Sequence, residues 1–142
     1  PYKATNTSGQ DLLFAPSFEL VGADGRIVRA GRDVPADVSK ALIARTDNPF
    51  VQDQIAIIGP LLRGPENAKE GLVIFPADSL SPGEIMVFAA GFSGETATVT
   101  PPTGGDKVIL RKTRMLRYAD TGDLSTRGDA ALGLVEARWI MR

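Results

Sequence analysis

The sequence predicts one mainly β domain of the sandwich or barrel type, and three observations support this prediction. Short apolar segments recur along the chain, separated by clusters of Gly, Pro, Asn and Asp, which is typical of folds built from many short strands. The length of 142 residues suits a single domain that covers residues 1–142. Hydrophobic residues make up 43% of the chain, which is enough for one packed core.

The N-terminal residues 2–30 are predicted to form a β-meander. Asn6-Thr7-Ser8-Gly9 is a cluster of turn-forming residues, because Asn and Ser side chains accept hydrogen bonds from nearby backbone N–H groups. Ser17–Val21 has the alternation of a half-buried strand. Asp24-Gly25, between apolar residues, is the strongest indication of a tight hairpin in the chain.

One short helix is predicted at about 35–46, inserted between strands. Pro35 suits the first turn of a helix, where its missing N–H costs nothing, and Asp33 just before it is a candidate cap. Asn48-Pro49 ends the helical pattern. Apolar residues recur at helical spacing at Val38, Leu42 and Ile43.

The rest of the chain returns to strand patterns. Arg63–Asn67 is predicted as a polar turn, and Pro101–Gly105 as an exposed loop tip. The final apolar segment contains good helix formers but also alternates like a strand. The strand is favoured because Trp and β-branched residues suit a pleated surface, and it places Trp139 in the core. Strands are predicted at Gln54–Ile58, Gly71–Phe75, Glu84–Ala90, Thr96–Thr100, Lys107–Tyr118 and Leu132–Met141.

Residues for common catalytic chemistry are scarce. The chain has no His and no Cys, which excludes thiolate chemistry and the usual zinc sites. Gly91–Glu95 lacks the second Gly of a serine-hydrolase elbow, and Thr103–Lys107 lacks the Gly-Lys-Ser/Thr of a phosphate-binding loop. The acidic cluster of Asp120, Asp123 and Asp129 lacks the spacing of a calcium-binding EF-hand. We therefore predict no catalytic, cofactor-binding or metal-binding residue.

Positive charges are concentrated on the strand predicted at 107–118. Alternation puts Lys107, Arg111 and Arg117 on one face and Lys112 and Arg114 on the other. One interpretation is that these charges keep an exposed edge strand soluble and prevent edge-to-edge pairing. The other is that Arg111, Lys112 and Arg114 form an interaction surface for an acidic partner, which would be another protein.

Three stretches carry a resemblance to a known type of domain: Asn6–Leu12 with Phe18–Val21, Gly59–Leu62 through Gly71–Phe75, and Glu84–Phe88. Together they resemble immunoglobulin-like β-sandwich domains of exported bacterial proteins. The resemblance implies an immunoglobulin-like antiparallel β-sandwich, in which the helix at about 35–46 is a departure. It also implies an exported or periplasmic location, and it transfers no catalytic residues.

These observations predict a non-catalytic β-sandwich module with a binding or structural role in an exported or envelope-associated assembly. The net charge of -1 argues against nucleic acid as a partner. Apolar runs fall far short of the ~20 residues that span a bilayer, so we expect a soluble domain. The alternative is a carboxylate-dependent hydrolase or lyase on a β scaffold, because pairs of Asp and Glu residues remain available.

Overall fold

A computed structural model describes residues 1–76, 82–119, 122, 128 and 130–142. The described residues form a mainly β fold with one helix, α1 (Ala36–Ala44), as predicted. Their strands form three sheets and not a barrel, and every strand pair but one is antiparallel. They are β1 (Tyr2–Asn6), β2 (Leu12–Phe14), β3 (Ser17–Val21), β4 (Ile27–Arg29), β5 (Val51–Gln52), β6 (Gly59–Leu61), β7 (Gly64–Gly71), β8 (Ile85–Ala90), β9 (Thr96–Val99), β10 (Val108–Tyr118) and β11 (Leu134–Met141).

The largest sheet has six strands, in the order β11-β10-β8-β3-β4, with β9 paired to the first part of β10. A three-stranded sheet has the order β1-β7-β5, and β5 runs parallel to β7. Strands β2 and β6 form a separate antiparallel pair. The described strands thus form three separate sheets.

The predicted hairpin at Asp24-Gly25 is confirmed and joins β3 to β4. Gly25 has a φ of 78°, which favours glycine, and Asp24 Oδ1 accepts the N–H of Arg26 at 3.0 Å. The predicted meander over 2–30 is otherwise wrong, because β1 pairs with β7 and β2 pairs with β6. Local turn residues therefore formed the expected turns, whereas long-range pairing decided the neighbours of the first two strands.

The middle of the chain differs most from the prediction. Residues 54–58 form a turn and not a strand, because Asp53 Oδ1 accepts the N–H groups of Ile55 and Ala56, both at 2.8 Å. The polar segment Arg63–Asn67, predicted as a turn, lies largely within β7. Of the predicted strand Gly71–Phe75, only Gly71 belongs to a strand. Pairing with β1 and β5 makes β7 a strand despite its polar side chains.

Helix α1 lies at the surface, and each of its residues is at least partly exposed. It begins after Pro35, as predicted. The predicted cap at Asp33 is wrong, because in the described chain no side chain hydrogen-bonds to the helix N-terminus, and Asp33 itself has a φ of 60°. Among the described residues, no helix is long and apolar enough to cross a membrane.

The two longest C-terminal strands, β10 and β11, are confirmed, including the choice of a strand for the final segment. The interpretation of β10 as an edge strand is wrong. β10 pairs with β8 on one side and with β11 on the other, so β11 is the edge. The positive charges of β10 therefore cannot protect an edge.

The main buried cluster lies where the three-stranded sheet meets the β2–β6 pair. It combines Ala4 of β1 with Phe14 of β2, Leu61 of β6 and Ile57 of the preceding turn. Tyr2 and Phe92 pack against this cluster from its rim. The same two aromatic side chains border a cleft of about 780 Å³.

Candidate functional site

The candidate site is a cleft of about 780 Å³ between β1 and β2 on one side and the six-stranded sheet on the other. The sheet side is built from one row of cross-strand partners. Phe18 of β3 lies opposite Ala89 of β8, Ala89 lies opposite Arg114 of β10, and Arg114 lies opposite Trp139 of β11. Directly paired residues of antiparallel strands share a face. All four side chains therefore face the cleft.

An aromatic cluster forms the inner wall of the cleft. Tyr2 lies 4.9 Å from Phe18 and 5.6 Å from Phe92, measured between ring centroids. Phe92 also contacts Phe14 at 5.3 Å and Phe18 at 5.7 Å, in edge-to-face geometry. Such pairs are favourable beyond their burial because the ring edge is positive and the ring face negative. The wall is thus apolar and held in a defined arrangement.

The hydroxyl of Tyr2 is a polar group within this apolar wall. It is buried and has no hydrogen-bond partner among the described residues. Burial raises the pKa of Tyr2 to about 12, because the charged phenolate is poorly solvated there. Buried polar groups of native proteins are nearly always hydrogen-bonded, so an unpartnered one suggests a missing ligand or solvent group.

Two cationic residues line the cleft, Lys3 and Arg114, and Lys3 forms an ion pair with Glu70 at 3.3 Å. The guanidinium carbon of Arg114 lies 5.5 Å from the centroid of the Trp139 ring, which gives a cation–π contact. No carboxylate of the described residues forms an ion pair with Arg114. By contrast, Arg117 on the opposite face donates to Glu84 at 2.6 Å and to Glu136 at 3.1 Å, and these bonds raise the pKa of Arg117. Arg114 therefore remains available for an anion.

The predicted interaction residues are only partly brought together. Lys112 and Arg114 lie on one face, as the alternation predicted, and both contact the Trp139 ring, with the Lys112 ammonium at 5.7 Å. Arg111 lies on the other face of β10. Lys112 is already paired with Glu95, and this hydrogen bond lowers the pKa of Glu95. The structure thus singles out Arg114 from the predicted set.

The prediction that Trp139 is buried in the core is wrong, because its side chain is 43% exposed. Trp139 lies on the edge strand β11, so it has a neighbouring strand on one side only. Its ring is covered partly by the side chains of Lys112 and Arg114. The residue therefore belongs to the rim of the cleft and not to the core.

Sequence patterns did not indicate the cleft as a site. Its walls come from Tyr2, Phe14, Phe92 and the β10–β11 pair, which are far apart in the chain. Phe14 is buried, whereas Phe18 and Phe92 are half-buried, and nothing in their local sequence predicts that they border an open space. The acidic cluster of Asp120, Asp123 and Asp129 lies outside the described residues.

The lining of the cleft combines apolar, hydroxyl, amide and cationic side chains. No Asp or Glu lines the described part of the cleft, and the described residues contain no group of three or more potential metal ligands. No protein-family model matches the chain, and no significant match was found among curated proteins or among solved structures.

Proposed function

We propose that this protein is a non-catalytic binding module whose cleft takes a small ligand with an apolar body and one anionic group. The observation that supports this is Arg114, which is held against Trp139 at the cleft and forms no ion pair with any carboxylate of the described residues. Small-molecule sites are typically clefts of about 300–1,000 Å³ with mostly apolar walls and a few placed polar groups. The cleft of about 780 Å³ fits that description.

Each part of such a ligand has a counterpart in the cleft. The aromatic cluster of Tyr2, Phe14, Phe18 and Phe92 offers an apolar wall for a hydrocarbon or aromatic body. The planar guanidinium of Arg114 suits a carboxylate, which it can bind with two parallel hydrogen bonds. The unpartnered Tyr2 hydroxyl would donate to an acceptor on the ligand.

The alternative of a carboxylate-dependent hydrolase or lyase is less well supported. Such chemistry requires two carboxyl groups within roughly 5–10 Å of each other across a substrate. The described lining of the cleft contains cationic, hydroxyl and apolar groups but no carboxyl group. The cleft therefore favours binding over acid–base catalysis.

We also infer an immunoglobulin-like architecture and a role in an exported or envelope-associated assembly. Two features support this inference. Tyr2 of the three-stranded sheet packs against Phe18 of the six-stranded sheet, and the turn and strand motifs resemble immunoglobulin-like domains of exported bacterial proteins.

Binding of dodecanoate tests the proposed function. Trp139 is the only Trp of the chain and borders the cleft, so its fluorescence reports on occupancy. We expect Arg114→Gln to weaken dodecanoate binding about tenfold or more, because a hydrogen bond to a charged group contributes about 1.5–3 kcal/mol. Arg111→Gln is the matched control, since Arg111 lies on the same strand but on the opposite face.

Two further ligands separate a specific site from general hydrophobic adsorption. Dodecanol and dodecyltrimethylammonium have the same chain length but no negative charge, so both should bind more weakly than dodecanoate. Equal binding of all three ligands, or equal loss of affinity in Arg111→Gln and Arg114→Gln, contradicts the proposal.

Removal of the Tyr2 hydroxyl should weaken ligand binding without lowering the stability of the unliganded protein. In Tyr2→Phe the unliganded protein should be as stable as the wild type or more stable by about 1 kcal/mol, because the buried hydroxyl has no partner. The affinity for dodecanoate should fall. Tyr118→Phe, which removes the other Tyr hydroxyl of the chain, is the control for ligand affinity.

The same variant should also change how thermal stability depends on pH above pH 10. Burial raises the pKa of Tyr2 from 10.0 in the unfolded chain to about 12 in the folded state, so its ionisation does not affect stability below pH 10 and lowers stability as the pH rises from 10 towards 12. Tyr2→Phe should therefore lose less thermal stability than the wild type over this interval. If the melting temperatures of the two proteins fall equally between pH 10 and pH 12, the hydroxyl of Tyr2 is not buried.

A further inference from the structure

Strand β1 borders the cleft with its edge and not with one face. A strand that faces a cleft contributes alternate residues, as β10 does with Arg114 and Leu116 but not Met115. By contrast, the consecutive residues 2–8, which include the whole of β1, all line the cleft. None of the described residues of β5 or β7 lines it. The cleft therefore lies along the side of β1 that is turned away from β7.

This side of β1 is an open strand edge. β1 stands at the end of the order β1-β7-β5, so in the described part of the chain it pairs with β7 alone. An edge strand presents unpaired backbone N–H and C=O groups, to which an extended peptide can add as one more strand. β2 also borders the cleft with consecutive residues, but it has three residues against five in β1. β1 is therefore the longer edge for such a peptide.

The pairing of β7 shows which residues of β1 direct their backbone groups to the cleft. The N–H of Leu72 donates to the carbonyl of Gln52, in β5, at 2.9 Å. Successive residues of a strand direct their backbone groups to opposite sides, so Gly71 directs its groups to β1. The partner of Gly71 in β1 is Tyr2. Even-numbered residues of β1 therefore bond to β7, and odd-numbered residues direct their groups to the cleft.

The odd-numbered residues within β1 are Lys3 and Thr5. The pairing with β7 is irregular after Ala4, but the extra residues there belong to β7, so β1 keeps its alternation. The burial of the side chains shows the same alternation, because Ala4 and Asn6 are buried whereas Lys3 and Thr5 are exposed. Two residues of β1 thus offer a backbone donor and a backbone acceptor each to the cleft.

We propose that the cleft binds an extended peptide that pairs antiparallel with β1 and carries an acidic side chain for Arg114. This proposal rests on the binding role proposed above and specifies the chemical class of the ligand. The two peptide residues opposite Lys3 and Thr5 would exchange backbone hydrogen bonds with them. The antiparallel direction is the one in which β1 already pairs with β7, and it is slightly more stable per residue than the parallel one.

The faces of β1 decide which side chains of the peptide enter the cleft. Tyr2 of β1 packs on Phe18 of β3, so the even-numbered side chains of β1 lie on the side of the six-stranded sheet. Directly paired residues of antiparallel strands share a face. The peptide residue opposite Ala4, between the two hydrogen-bonded ones, would therefore turn its side chain towards the six-stranded sheet.

Arg114 supplies the charge that selects an acidic peptide. It lines the cleft on the six-stranded sheet, and no carboxylate of the described residues forms an ion pair with it. A carboxylate on an inward-facing side chain can accept two parallel hydrogen bonds from its guanidinium group. Leu116 and Trp139 line the cleft next to Arg114, so apolar side chains suit the neighbouring inward positions. The ligand is thus a peptide whose inward residues are one acidic residue flanked by apolar ones.

The peptide acetyl-Leu-Thr-Glu-Thr-Leu-amide tests the proposal through the fluorescence of Trp139. Its Leu and Glu side chains would face the six-stranded sheet, and its two Thr residues would pair with Lys3 and Thr5. N-methylation of one Thr removes a backbone donor and places a methyl group against β1. We expect this change to weaken binding about tenfold or more. N-methylation of the Glu is the matched control and should keep the affinity, because its N–H points away from β1.

Replacing the Glu of the peptide with Gln tests the contact with Arg114. The exchange should weaken binding to the wild type about tenfold, whereas Arg114→Gln should bind both peptides equally weakly. The melting temperature of Arg114→Gln, compared with that of the wild type, shows that the variant is folded. The terminal amide removes the carboxylate of the peptide end, so the charge effect belongs to the side chain.

Dodecanoate, measured on the same samples, separates this proposal from the binding role on which it rests. If dodecanoate binds and the peptide does not, the peptide is the wrong ligand and the binding role stands. If neither binds, both fail.

Three further outcomes would overturn the peptide proposal alone. They are an equal loss of affinity on N-methylation of Thr and of Glu, equal binding of the Glu and Gln peptides to the wild type, and tighter binding of a Gln peptide with a free terminal carboxylate. The last outcome would assign Arg114 to the end of a chain instead of an acidic side chain.

Discussion

Replacing Ile57 with alanine is expected to lower the free energy of unfolding by about 2–5 kcal/mol, the usual cost of deleting most of a large buried aliphatic side chain. The side chain of Ile57 is 0% exposed and packs with Ala4 of β1, Phe14 of β2 and Leu61 of β6. Its backbone is also held in place, since its N–H donates to the Asp53 carbonyl at 3.1 Å. The site has little freedom to collapse around the deleted atoms. Urea unfolding at constant m-value measures the change.

The matched controls lie in the same turn. Ile55 is 75% exposed and Ile58 is 50% exposed, so alanine at either position should change stability by less than about 1 kcal/mol. In a regular strand, Ile55 and Ile57 would share a face and behave alike. Equal losses at Ile55 and Ile57 would therefore contradict the turn and restore the strand that the sequence pattern predicted.

This contrast shows which parts of the fold local sequence can predict. The hairpin at Asp24-Gly25, helix α1 and strands β8, β10 and β11 were predicted correctly, because their turn residues and periodicity act within a few positions. The strand β7 (Gly64–Gly71) has a polar sequence and was missed. It is a strand because β1 and β5 pair with it on either side, and such long-range pairing leaves no local pattern.

In the candidate site, too, local sequence predicts some features, whereas long-range pairing decides others. The alternation of side chains along β10 correctly placed Lys112 and Arg114 on one face and Arg111 on the other. The order of strands in the sheet decides which strand is the edge, and so it decides the exposure of Trp139. The cleft arises where Tyr2 and Phe92, far apart in the chain, meet between two sheets. No local sequence pattern predicts this long-range contact.

Asn6 is the buried polar residue on which we expect the second large effect. Its side chain is 4% exposed and uses both ends of its amide. Nδ2 donates to the carbonyls of Gln10 and Leu61, both at 2.9 Å. Oδ1 accepts the backbone N–H of Ser8 at 2.9 Å and its hydroxyl at 2.7 Å. One side chain thus closes the turn after β1 and joins it to β6.

Asn6→Ala should therefore destabilise the fold by about 3 kcal/mol, because it leaves a buried carbonyl at Leu61 without a donor and opens the turn. Asn6→Asp should be at least as harmful, since it keeps the acceptor for Ser8 but directs a negative oxygen at two carbonyls. Ser8→Ala, at an exposed position, should cost about 1 kcal/mol or less. If Asn6→Ala is no worse than Ser8→Ala in urea unfolding, the bond to Leu61 does not support the packing of β6, and the link between the first turn and the distant strand must lie elsewhere.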